Sequence, residues 1–180
     1  MKKFRNKYRI SSTRSKGYDY GEPGAYFVTL CIKDRKCLFG RILDNEVELS
    51  LIGQLANDHW RQVPKYFQFV QLDPWILMPN HLHGVITINK YCSNFLNNAS
   101  ASKKGGITQK YNPMLHGNLS HIIRWYKART TYAIRKRNFH FSWQPRFYEH
   151  VIRDEKEYLQ VLEYITYNPL NWKKDLYFQT

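Results

Sequence analysis

Apolar and polar positions divide the chain into short stretches of two different periods. AYFVTLCIK, at residues 25–33, is almost continuously apolar and rich in β-branched and aromatic side chains, the composition of a buried strand. CLFGRIL and EVELS meet at Asp44-Asn45 and predict a hairpin with a short turn. Beyond Ser50, a natural cap, Leu51, Ile52, Leu55, Trp60 and Val63 roughly follow helical spacing. A helix is therefore expected over residues 51–66, with Pro64 disturbing its last turn. FVQLDPWILM (69–78) and HLHGVITI (81–88) read as two strands joined at Pro79-Asn80. Residues 89–118, rich in Asn, Ser, Lys and Gly, have little periodicity and read as a long mobile loop. A second helix is expected over residues 118–137, with Ile122, Trp125, Tyr126, Ala133 and Ile134 inward and the arginines outward. FHFSWQPRFYEHVI reads as irregular or short-stranded. The last helix begins at Asp154, with Glu157 completing a capping box, and stops before Pro169. This order does not alternate as a parallel βαβ sheet would. It predicts an α+β fold, ferredoxin-like in outline: an antiparallel sheet with helices packed on one face.

Composition narrows the class. With 180 residues, 43% hydrophobic and 23% charged, the chain is long enough for a core and too apolar for wholesale disorder. No run of about 18 apolar residues exists, so no membrane-spanning helix is expected. The basic N-terminus lacks the apolar stretch of a signal peptide, and a cytoplasmic location is expected. Cys31, Cys37 and Cys92 have no CxxC spacing and cannot all pair within one chain, so they read as reduced thiols rather than a disulfide frame or zinc knuckle.

Charge changes the picture most. Lys and Arg number 28 against 14 Asp and Glu, a net +14, and the two signs are segregated. Residues 74–148 contain no acid, and neither do the first 18 residues. Such a field attracts polyanions, and the interleaved aromatic residues suit unpaired bases. Phosphate contacts are therefore expected from Lys2, Lys3, Arg5, Lys7 and Arg9 of the arm. In the middle of the chain they are expected from Arg124, Lys127, Arg129, Arg135, Lys136, Arg137 and Arg146.

Candidate chemistry lies in two elements. His81 and His83 flank Leu82 in a strand, so the period of two sends both imidazoles to one face and Leu82 to the other. Such a pair can grip a divalent cation; taken alone, it also reads as two polar residues on a solvated face. In the last helix Tyr158, Val161, Leu162 and Ile165 form the core stripe, with Tyr164 and Asn168 one turn apart along its flank. Tyr167 lies about 60° round from Tyr164, away from the core. Alone, Tyr164 reads as a boundary aromatic.

Four stretches in order, YFVTLCIKDRKCLFG, WILMPNHLHGVIT, WQPRFYEHVIRDEKEY and EYITYNP, resemble the REP-associated tyrosine transposases, a group of single-tyrosine HUH transposases. The resemblance covers residues 21–172. It implies a ferredoxin-like domain at 25–172 between the basic arm at 1–24 and a short tail at 173–180. It also implies cleavage and rejoining of single-stranded DNA beside hairpins, as a monomer or homodimer. His81 and His83 match the paired histidine ligands of a divalent metal (Mg²⁺ or Mn²⁺), Asn168 the polar third ligand and Tyr164 the nucleophile. The loop at 89–118 matches nothing residue by residue, and the closing DLYFQT partly resembles a protease-tag remnant and carries no weight. Two histidines and an asparagine bring no negative charge, so the cation is expected to bind weakly until DNA oxygens join it. The rival readings are a non-catalytic binder of DNA or RNA hairpins on the same scaffold, and a metal-dependent hydrolase that activates water and ignores Tyr164.

Overall fold

A computed structural model describes residues 22–89 and 118–178. The cationic arm with Lys2, Lys3, Arg5, Lys7 and Arg9 lies outside them, as does nearly all of the loop expected at 89–118. The elements run β1 (Gly24–Cys31), β2 (Gly40–Leu43), β3 (Glu46–Leu49), α1 (Leu51–Arg61), α2 (Val63–Tyr66), β4 (Val70–Leu77), β5 (His81–Ile88), α3 (Leu119–Arg135), β6 (Tyr148–Ile152) and α4 (Glu155–Tyr167). β2 and β3 form a separate hairpin. Asp44 and Asn45 at its tip have φ of 48° and 65°, the left-handed geometry that a two-residue turn needs to match strand twist.

The main sheet has the order β4-β5-β1-β6, antiparallel throughout. With α1 between β1 and β4, and α3 between β5 and β6, this is the ferredoxin-like arrangement. Caps delimit the helices: the Ser50 side chain accepts from Gly53 N, Asn118 from His121 N and Asp154 from Glu157 N. The helix expected over 51–66 is broken at Gln62. Pro64 then stands at the start of α2, where its missing N–H leaves no bond unmade. β4 carries a bulge between Leu72 and Trp75, at Asp73-Pro74, as a proline inside a ladder requires.

One expectation fails: the helices do not share a face. Tyr26, Val28, Leu30, Leu82 and Ile86 bury against Trp60 of α1 and Ile122 and Tyr126 of α3. On the opposite face Phe27 and Val85 pack with Ile165, Val161 and Tyr158 of α4. The reason is in the central strands: β1 and β5 are buried almost continuously, so both faces need a cover. Gly84 lets α1 approach closely, since a Cβ there would lie 2.9 Å from the Trp60 ring. No described helix is long and apolar enough to cross a membrane.

Candidate active site

The histidines sit at the start of β5, on the face covered by α4. Cys31 and Thr29 of β1 lie opposite His81 and His83. The His81 and His83 rings are 4.3 Å apart between centroids, and both side chains are fully buried. Burial holds both imidazoles neutral: His81 falls to about 3, helped by the nearby Arg35 charge, and His83 is well below its ordinary value. Neutral imidazoles keep a lone pair for a cation.

Hydrogen bonds fix the direction of His81. Asn80 Nδ2 donates to the carbonyls of Arg35 (3.0 Å) and Tyr177 (2.8 Å), which leaves Asn80 Oδ1 as the acceptor facing His81 Nδ1 at 2.8 Å. The His81 proton is therefore on Nδ1, and Nε2 carries a buried lone pair with no partner among the described residues. His83 is held between two hydroxyls, with Nδ1 2.9 Å from Thr29 Oγ1 and Nε2 3.1 Å from Tyr164 Oη.

α4 supplies the phenol. Ile165 anchors the helix in the second core, and its neighbour Tyr164 comes down on the histidines with its ring edge-on to Phe27. One turn later, at the helix cap, Asn168 is 3% exposed. Its Oδ1 is a second buried acceptor without a partner, while Nδ2 donates to Asp175 Oδ2 at 2.8 Å. Tyr164 and Tyr167 are 43% and 50% exposed and line one open cavity of about 460 Å³, so exposure does not separate them. The hydrogen bond to His83 does.

Asp175 is the residue the sequence reading missed. One ligand atom each from His81, His83 and Asp175 lies within 4.8 Å of the others. The segment given no weight folds back over the site: Tyr177 N donates to Asp175 Oδ1 at 2.6 Å, and the Tyr177 ring packs 4.7 Å from His81. No spacing rule links position 175 to position 83; the only hint is that Asp175 is the sole acid after Glu163. Two imidazole nitrogens, an amide oxygen and a carboxylate make a donor set that fits a divalent cation, with two buried acceptors otherwise idle. The set carries a negative charge, contrary to the expectation of a neutral one. Burial and then the Asp175 carboxylate push the Tyr164 phenol up to about 12, outweighing the lowering by Asn168. In this state the phenol is protonated at neutral pH.

The expected phosphate contacts fall on the other side of the sheet, on and beyond α3. Arg124, Arg129, Arg135, Lys136, Arg137 and Arg146 are exposed. Lys127 is half-buried instead, and its Nζ donates to the carbonyls of Gln144 (3.0 Å) and Arg146 (2.6 Å). Its first task is to tie the segment after α3 to the helix.

The chain is 39% identical over 165 residues to an uncharacterised protein of Haemophilus influenzae, covering 91% of this chain and 90% of that one. Over 108 residues it is 27% identical to the REP-associated tyrosine transposase of Escherichia coli; that match takes in 59% of this chain and about half, 49%, of the relative. Among solved structures, a REP-associated tyrosine transposase bound to a REP hairpin superposes with a TM-score of 0.60 at 21% identity, over 91% of this chain and 74% of the other. No family model matches.

Proposed function

Since this chain belongs to the REP-associated tyrosine transposases, and is thereby a DNA-processing enzyme, we propose that it nicks and rejoins single-stranded DNA beside hairpins through a covalent bond to Tyr164. His81 Nε2, His83, Asp175 and the Asn168 amide oxygen would hold a divalent cation. When bound there, the cation neutralises non-bridging phosphate oxygens, stabilises charge on the departing 3′ oxygen and lowers the pKa of the adjacent phenol. Tyr164 Oη attacks the phosphorus as the P–O bond to the 3′ oxygen breaks, and the proton given up by the phenol is balanced by the one the departing 3′ oxygen takes up to leave as a hydroxyl. One P–O bond replaces another, so the 3′ hydroxyl can reverse the step and join strands without an outside energy source. Thr29 and Phe27 keep the His83 ring oriented, by a hydrogen bond and by stacking at 5.4 Å. A solved REP-associated tyrosine transposase is bound to a REP hairpin, and the basic exposed surface of α3 in this chain suits the phosphates of such a hairpin.

The observation that carries this reading is the 3.1 Å contact between Tyr164 Oη and His83 Nε2, beside the idle lone pair of His81. The test is incubation with hairpin-bearing single strands, with and without Mn²⁺, followed by mass spectrometry of the trapped adduct. A nucleotide on Tyr164, and none in Tyr164→Phe, is the expected result. An adduct on Tyr167, or undiminished nicking in Tyr164→Phe, refutes the assignment. Hairpin binding without any nicking would favour the binding-only reading.

A further inference from the structure

The outward side of α3 carries a cleft of about 660 Å³ that the chemistry above does not use. Apart from Trp143, its residues fall on two neighbouring rows along α3 and its cap, Lys127-Thr131-Arg135 and Ala128-Tyr132-Lys136, each spaced i, i+4. By helical phase the Lys127 row runs along the edge of the buried stripe of Ile122, Tyr126 and Ile134, and the Tyr132 row lies farther round, on the outward side. Small Ala128 and Thr131 make room in the middle. Lys127 and Trp143 close one side, and Tyr132 and Lys136 stand on the other.

Three features point to a flat anionic ligand. Tyr132 is 65% exposed, and its ring makes no hydrogen bond or ring contact among the described residues. An exposed phenol ring so placed offers a stacking face at little entropic cost. Trp143 is rigid: Nε1 donates to the Lys127 carbonyl at 3.1 Å, and the ring packs against Phe39, Phe141 and Tyr126. Finally, three cations line the cleft and no carboxylate does. Arg135 is oriented by donating from Nε and Nη2 to the Phe141 carbonyl, and Lys127 lies 5.5 Å from the Trp143 ring centre. An acidic peptide would answer the cations but has no flat face for the ring. Single-stranded nucleic acid answers both.

We propose that this cleft receives an unpaired nucleobase of a single strand, with Tyr132 stacking on the base and Arg135 and Lys136 meeting the flanking phosphates. The proposal rests on the nucleic-acid reading above and adds a place for unpaired DNA on the face of the sheet opposite the histidines. The cleft is near the sheet end that bears them, since Gln144 N donates to the carbonyl of Cys31, the partner of His81 in the ladder.

The test compares two labelled hairpins, one blunt and one with an unpaired extension, by fluorescence anisotropy with the full chain. Tyr132→Ala should weaken binding of the extended hairpin by about five- to a hundredfold, the increment of one stacked base, and change the blunt hairpin by less than about twofold. Tyr132→Phe should keep wild-type affinity. An unchanged melting temperature in Tyr132→Ala would show that the fold is intact. Equal affinity of Tyr132→Ala and wild type for the extended hairpin overturns the proposal. So does an equal loss on both hairpins, which would make Tyr132 part of a general phosphate surface. A polyglutamate peptide whose affinity falls in Tyr132→Ala would mark an acidic-peptide site and overturn it too. If wild-type protein nicks hairpins while Tyr132→Ala binds normally, only the cleft assignment fails. If wild-type protein binds neither hairpin, the proposed function itself fails.

Discussion

At the scale of single residues, Asp175 alters the chemistry most. A site of two neutral imidazoles and an amide would leave a cation with its full charge and weak affinity; a carboxylate in the same cluster raises affinity and offsets part of that charge. Asp175→Asn keeps the size and one acceptor oxygen, for Asn168 Nδ2 or Tyr177 N but not both, and removes the charge. Mn²⁺ affinity, read by calorimetry on protein without DNA, should fall by about tenfold or more, the scale on which metal sites respond to lost partners. Unchanged affinity would return the site to His81, His83 and Asn168 alone. Lys127 makes the converse point about charge. Lys127→Ala removes two hydrogen bonds to the exposed carbonyls of Gln144 and Arg146 and should cost about 0.5–1.5 kcal/mol of stability in denaturant titration. A merely solvated lysine would cost almost nothing.

At the scale of elements, α4 matters because its start sets where Tyr164 lands. Asp154 accepts from Glu157 N, and the Glu157 carboxylate accepts from Arg153 N, each at 2.8 Å, closing the first turn. Asp154→Ala should lower stability by about 1 kcal/mol, measured by thermal or denaturant unfolding, as lost caps usually do. β5 depends on Gly84 in a different way. An alanine Cβ would sit 2.9 Å from the Trp60 ring and 3.1 Å from Trp75 Cβ, so Gly84→Ala forces two indoles to move. Overpacking of that kind costs about 1–3 kcal/mol, and unfolding curves would show it. A wild-type melting curve would mean that α1 has slack against the sheet.

At the scale of the molecule, the sheet separates two kinds of chemistry. The buried histidines, the phenol and the carboxylate gather on the α4 face, and the exposed cations of α3 lie on the other. Affinity for hairpin DNA should fall linearly on a log–log plot against salt, with a steep negative slope from counterion release. Arg137→Ala, at an exposed position on the cationic side, should reduce that slope by about one. A slope near zero in the wild-type protein would leave the charge segregation with no role beyond solubility.

How much of this was legible in the amino-acid order follows the range of each interaction. The β5 strand from His81 to Ile88, the Asp44-Asn45 turn and the caps at Ser50 and Asp154 were all readable, because period, turn geometry and capping depend on residues a few positions apart. The same short range placed Tyr164 and Asn168 on one side of α4. The sequence also carried the continuous apolar runs of β1 and β5, which demand cover on both faces, though not which helix would supply each. Only the tertiary structure decided that α4 crosses to the second face and brings Tyr164 within 3.1 Å of His83. It alone decided that the tail returns to set Asp175 against the histidines. Contacts between residues 81 or more positions apart depend on how packed surfaces match, and no local period encodes that match.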